Sequence, residues 1–187
     1  VTYDVVGPTG DQPTSLTVTF SQSKSRWEWK YQSGSITQYV DPAAGIFGSE
    51  RNENGVKYYN KMSENDKRYF LLPRVKESKN TNEKSTIVGA ATTHFIILLS
   101  DTLTGDAQKF DAWLATGSPI AVPSFAGMPG KAGLPLDFFM RHEQWMLHLK
   151  ATKLSKDPVD PKSFTPPASL PEKQEVAKPD FSNSIEK

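Results

Sequence analysis

Apolar and polar positions alternate strictly near the start of the chain, which predicts half-buried β-strands. Residues 16–20, Leu-Thr-Val-Thr-Phe, follow this period of two. In residues 26–31, Trp27, Trp29 and Tyr31 fall on one face of the predicted strand, and charged side chains fall on the other. The two segments therefore predict neighbouring strands with an aromatic face.

The rest of the chain predicts more strands and hardly any helix. Residues 41–50 are expected to form an irregular loop or a single turn, because Gly45 and Gly48 interrupt them. Residues 76–85 are charged and have no period, so we expect an exposed, mobile connection. Within the long segment 86–100, Gly89 is expected to mark a bulge or a sharp bend. Further strands are predicted at 36–40, 56–62, 68–72, 86–100, 108–114, 136–140 and 145–154.

Nine or ten strands with little helix indicate an all-β fold, or β with minor α, built as a strongly curved antiparallel sheet that forms a half-open barrel. The hydrophobic residues thin out and prolines multiply after residue 155. We therefore expect a single β domain over residues 1–165 and a Pro-rich, extended or disordered C-terminal tail over residues 166–187.

Charge and composition exclude several classes of partner. Lys and Arg total 22 against 21 Asp and Glu, so no net charge attracts nucleic acid. The longest apolar run, residues 95–99, is far shorter than the ~20 residues that span a bilayer, so the chain is not expected to be transmembrane. The chain has no cysteine, which excludes disulfides and thiol chemistry.

No motif indicates catalysis, a metal or a cofactor. His142 and His148 are six positions apart, but a predicted turn separates them, so no metal site is expected. His94 lies in a predicted strand and is expected to face solvent or to be hydrogen-bonded. The residues around Ser118 lack the nucleophile elbow of serine hydrolases. We therefore expect a protein that is not an enzyme and that uses no cofactor.

The aromatic face has two interpretations. It is either ordinary core, which is the simpler interpretation because large aromatic residues dominate core burial, or the lining of a concave ligand-binding face. On the second interpretation, the expected ligand contacts are Trp27, Trp29, Tyr31, Phe95, Ile97 and Phe110.

Residues 126–140 form a Gly/Pro-punctuated run that contains Gly-Met-Pro-Gly and then Gly-Leu-Pro-Leu. Together with the segments before and after it, this run resembles a family of exported Gram-negative proteins of unknown function. That family is similar in fold to the half-barrels of lipoprotein carriers and lipoprotein receptors. Gly89 and residues 134–137 match the family pattern, whereas Ala90 and Thr92 stand where Tyr and Cys are frequent.

The resemblance implies a curved sheet with an apolar concave side and an exported location, which would be periplasmic, outer-membrane-associated or extracellular. It also implies a lipid or acyl chain as ligand. We expect a non-enzymatic exported binding module that holds a lipid-like ligand or a partner segment. The alternative is an accessory or structural subunit of an envelope or cell-surface assembly, in which the tail docks onto a protein partner.

Overall fold

The computed structural model describes residues 1–7, 12–21, 23–63, 67, 75–100, 107–115, 133–142, 145–168 and 171. Eleven strands in this part of the chain form one antiparallel sheet. A short 3-10 helix, Pro161–Phe164, follows the last of them. The strands are β1 (Thr2–Val6), β2 (Ser15–Ser21), β3 (Lys24–Lys30), β4 (Gly34–Asp41), β5 (Ile46–Glu53), β6 (Val56–Lys61), β7 (Val75–Ile87), β8 (Ala90–Ser100), β9 (Ala107–Ala115), β10 (Leu134–His142) and β11 (Trp145–Lys153).

The order of the strands explains where the sheet opens. Strands that follow one another in sequence are paired, except β6 and β7, which form the two edges. The first strand pairs instead with the last, and Val5 lies opposite Leu149. The sheet is thus a curved, open half-barrel whose gap lies between β6 and β7, which confirms the fold class expected from the sequence.

Strict alternation places the apolar residues of β2 and β3 on one face, here called the inner face. Leu16 pairs with Trp29, and Val18 pairs with Trp27. All four side chains are buried. On the opposite, outer face, Arg26 and Glu28 form an ion pair at 2.8 Å. The predicted aromatic face is therefore real, although Tyr31 lies just beyond the end of β3.

Two expectations for segments without a strand pattern need correction. Residues 41–50 contain the expected turn, but from Ile46 they also form the start of β5, which pairs with both β4 and β6. Residues 76–85 belong to β7, although most of their side chains are exposed. β7 is an edge strand, so its hydrogen bonds to β8 define it without an apolar period, and charged side chains are common at such edges.

The long strand predicted over residues 86–100 is also wrong as a single element. Val88 and Gly89 have φ values of 44° and 78° and form a tight turn between β7 and β8. This pair of positive φ values is typical of a two-residue hairpin turn. Gly89 therefore marks a sharp bend, as expected. β1 was not predicted, and the strand expected at 68–72 lies outside the described residues.

Among the described residues, the inner face carries one apolar cluster that joins strands from both halves of the sheet. It contains Tyr3, Val5, Leu16, Val18, Trp27, Trp29, Val40, Met62, Ile97, Ala112, Leu114, Ala115, Leu134, Leu136, Phe138, Leu147, Leu149 and Ala151. A rim of partly buried apolar residues packs against this cluster: Val1, Phe20, Tyr31, Ile36, Phe47, Ile87, Val88, Ala90, Phe95 and Leu154.

Candidate functional site

Three of the expected ligand contacts lie deep in the apolar cluster. Trp27, Trp29 and Ile97 are 2%, 1% and 3% exposed. The indole N–H of Trp27 donates to Ser25 Oγ at 3.0 Å, and that of Trp29 donates to Gln38 Oε1 at 3.0 Å. Because the polar edges of both indoles are satisfied within the sheet, these residues serve as core in this conformation.

The other three expected contacts lie nearer the surface. Tyr31 and Phe95 belong to the partly buried rim of the cluster. Phe110 is paired with Ile97 across β8 and β9, and its ring stacks on Phe139 with 6.2 Å between centroids. The structure thus joins five of the six residues through the inner cluster and its rim, whereas Phe110 belongs to neither group. Their role as ligand contacts stays a prediction.

An open pocket of about 480 Å³ lies at the β7–β8 hairpin, beside the rim of the apolar cluster. Lys84 Nζ donates to the hydroxyl of Thr93 at 2.8 Å. Thr92 and Thr93 are each 1% exposed, and Thr92 Oγ1 is buried without a hydrogen-bond partner. The pocket is lined by Lys84, Ser85, Thr86, Ala91, Thr92 and Thr93.

The sequence interpretation missed this pocket. Hydroxyl residues stand at similar distances before and after the turn at Val88 and Gly89. A hairpin brings such positions together, so Thr86 lies opposite Ala91, and Ser85 lies opposite Thr92. This pattern of hydroxyl residues predicts the pocket only if the segment 86–100 is divided at the turn.

The outer face carries two histidine–aspartate contacts on neighbouring hairpins. His94 Nε2 lies 2.9 Å from Asp111 Oδ1, and the His94 ring stacks on Trp113 at 4.9 Å. His148 Nε2 lies 2.6 Å from Asp137 Oδ1. The expectation that His94 is hydrogen-bonded is confirmed.

The other nitrogen of His94 also has polar neighbours. His94 Nδ1 lies 3.0 Å from the hydroxyl of Thr81 and 3.6 Å from a carboxylate oxygen of Glu83. Thr81 and Glu83 lie where the register of β7 shifts against β8. His94 therefore joins this irregular part of the edge strand to β9.

Tyr39, on the outer face of β4, is hydrogen-bonded to a carboxylate of the neighbouring strand β5. Burial, and then the carboxylate of Glu50, raise the pKa of Tyr39 to about 12. The phenol of Tyr39 donates to Glu50 Oε2 at 3.0 Å.

Among the described residues, no group of three or more His, Cys, Asp or Glu side chains is placed to hold a metal ion.

The part of the chain that the structure describes contains no helix that is long and apolar enough to cross a membrane. The first part of the Gly/Pro run, residues 126–132, lies outside the described residues, which resume at Gly133. The family resemblance drawn from that run therefore stays a prediction.

No protein-family model matches the chain, and no curated protein matches it. Among solved structures, the crystal structure of LprF from Mycobacterium bovis is similar, with a sequence identity of 14% and a TM-score of 0.42. The alignment covers 85% of this chain and 87% of that chain. This likeness is too weak to bear on the function of the chain.

Proposed function

We propose that the protein is an exported, non-enzymatic binding module that holds an acyl chain or a similar apolar ligand against the inner face of its sheet. The observation that carries this proposal is the continuous apolar cluster inside an open sheet. Its rim is only partly buried, so further apolar contact there is favourable, at roughly 25 cal/mol per Å² removed from water.

The ligand enters at the β7–β8 hairpin. Val88, Ala90 and Phe95 form part of the rim there, next to the open pocket. An ammonium group and several hydroxyls line this pocket, and these groups suit the oxygen atoms of a lipid head group. An acyl chain would therefore lie along the rim, with its head group near Lys84.

The alternative role, an accessory subunit that docks through its tail, has less support. Phe164 is 2% exposed, and the carbonyl of Pro171 accepts a hydrogen bond from Tyr59 N–H at 3.1 Å. The chain's own sheet therefore buries Phe164, just before the tail, and contacts the tail itself at Pro171.

Brominated fatty acids test the proposal, because a bromine atom in contact with an indole quenches its fluorescence. Saturable, partial quenching is expected from the inner-face indoles of Trp27 and Trp29, and not from Trp113, which stacks on His94 on the outer face. Phe95→Ala should weaken binding about tenfold, since losing part of an apolar contact costs about 1.4 kcal/mol. The matched control is Val6→Ala, because Val6 is 63% exposed and lies outside the inner cluster.

A second variant separates weaker ligand binding from loss of folding. Val88→Asn removes an apolar side chain from the rim, and Asn suits the positive φ of this turn position. It should fold and bind the fatty acid more weakly. The absence of quenching in the unmodified protein, together with the absence of co-purifying lipid in native mass spectrometry, would exclude lipid binding.

A further inference from the structure

The C-terminal segment lies on a part of the sheet far from the strand that precedes it. β11 lies between β1 and β10, whereas the 3-10 helix Pro161–Phe164 contacts β3 and β4. The carboxylate of Asp160 caps this helix by accepting the Lys162 N–H at 2.9 Å. Phe164 is buried, so the segment is anchored on the sheet rather than merely adjacent to it.

Beyond this anchor the chain reaches an edge of the sheet. Pro171 O accepts the main-chain N–H of Tyr59, which lies in the middle of the edge strand β6. In an antiparallel strand, alternate residues direct their main-chain groups to the same side, so the N–H groups of Lys57 and Lys61 point in the same direction as that of Tyr59. The contact with Pro171 is thus the kind of hydrogen bond that an added strand makes.

The side chain of Tyr59 does not block this edge. Tyr59 extends back over β5, since a Cβ atom added at Gly48 would lie 1.8 Å from the Tyr59 hydroxyl. Val56, at the start of β6, is 65% exposed and offers apolar surface beside the edge. An extended segment can therefore approach β6 without displacing the Tyr59 ring.

We propose that the outer edge of β6 is a strand-addition site and that the chain's own C-terminal segment occupies it in cis through Pro171. An exposed edge strand pairs readily with other chains, and covering it prevents this association. The anchor at Phe164 holds the segment near β6, which raises its effective concentration there. An extended peptide from another protein must displace this segment before it can bind β6.

The test compares the full chain with a chain that ends at residue 168. The shorter chain keeps Phe164, so the anchor and the fold are retained. Hydrogen exchange at the amides of Lys57, Tyr59 and Lys61 should become at least about tenfold faster in the shorter chain, because these groups lose their cover. Amides of the central strand β2 serve as the internal control and should not change.

A synthetic peptide of residues 169–187 completes the test. Added to the shorter chain, it should restore protection at the β6 amides, whereas a scrambled peptide should not. It should bind the full chain much more weakly, because the site is already occupied. Equal β6 exchange in the two chains, or failure of the peptide to restore protection, overturns the proposal.

Discussion

The hydroxyl of Tyr3 on β1 donates a hydrogen bond of 2.8 Å to the main-chain oxygen of Pro135 on β10. β11 lies between these two strands, so the phenol reaches across a whole strand. The register of β10 against its other neighbour, β9, shifts between Pro135 and Asp137, next to the carbonyl that accepts this bond. Tyr3 is fully buried, and burial raises its pKa well above the ordinary value, so it remains a donor.

Tyr3→Phe should lower the free energy of unfolding by about 1–2 kcal/mol, because the buried carbonyl of Pro135 loses its donor. Urea denaturation measures this change. Tyr58→Phe is the matched control, since the hydroxyl of Tyr58 bonds to Glu53, whose side chain is 54% exposed. Equal losses of unfolding free energy in the two variants would show that the bond across β11 stabilises the protein no more than the exposed bond of Tyr58.

Asp41 should make the stability of the protein sensitive to acid. Its carboxylate is 3% exposed and forms an ion pair with Lys24 at 2.9 Å. The hydrogen bond from Lys24 is the main cause that lowers the pKa of Asp41 below its ordinary value. The stabilisation is therefore complete above the unfolded pKa of roughly 4 and is lost as the pH falls through the lower, folded pKa.

Asp41→Asn should cost about 1 kcal/mol at pH 7, a modest value because Lys24 is 40% exposed to water. The difference from the unmodified protein should shrink as the pH falls toward 2. Thermal unfolding measured between pH 7 and pH 2 tests both points. Asp4→Asn, at an exposed position of β1, should show little change at any pH. A stability difference that stays constant across this pH range would contradict a lowered pKa of Asp41.

Gly133, the first described residue of the Gly/Pro run, should tolerate no side chain. Its φ is 118°, and an added Cβ would lie 2.5 Å from the carbonyl oxygen of Ala115. Gly133→Ala should destabilise the protein by more than the roughly 1 kcal/mol expected for backbone strain alone. Gly89→Ala is the control, because its φ is also positive but nothing lies within 4 Å of the added atom. Similar unfolding free energies for both variants would argue against a steric role.

Val88→Asn should leave stability unchanged or raise it by about 0.5 kcal/mol, because a β-branched residue is strained at positive φ and Asn-Gly suits this turn. The loss of partly buried apolar surface opposes the gain. Chemical denaturation gives the balance. Val6→Asn, at an exposed strand position, should not be stabilised. A large loss in Val88→Asn would mean that the packing of Val88 outweighs its backbone strain.

Much of the sheet could be predicted from local pattern. The alternation around Trp27 and Trp29 predicts a strand with one buried face, since side chains in a strand point to opposite sides in turn. β7 could not be predicted in this way, because its side chains are polar and its place is defined by backbone pairing with β8. The pocket at Lys84 escaped prediction because it depends on the turn at Val88 and Gly89.

The sequence by itself determined the fold class, the alternating faces and the central aromatic residues, since these follow from a period of two and from the hydrophobic effect. Only the tertiary structure decided that β1 pairs with β11, that the sheet opens between β6 and β7, and that Pro171 reaches Tyr59. These are contacts between residues distant in sequence. Their partners are selected by strand order and curvature, and the composition of either segment does not encode them.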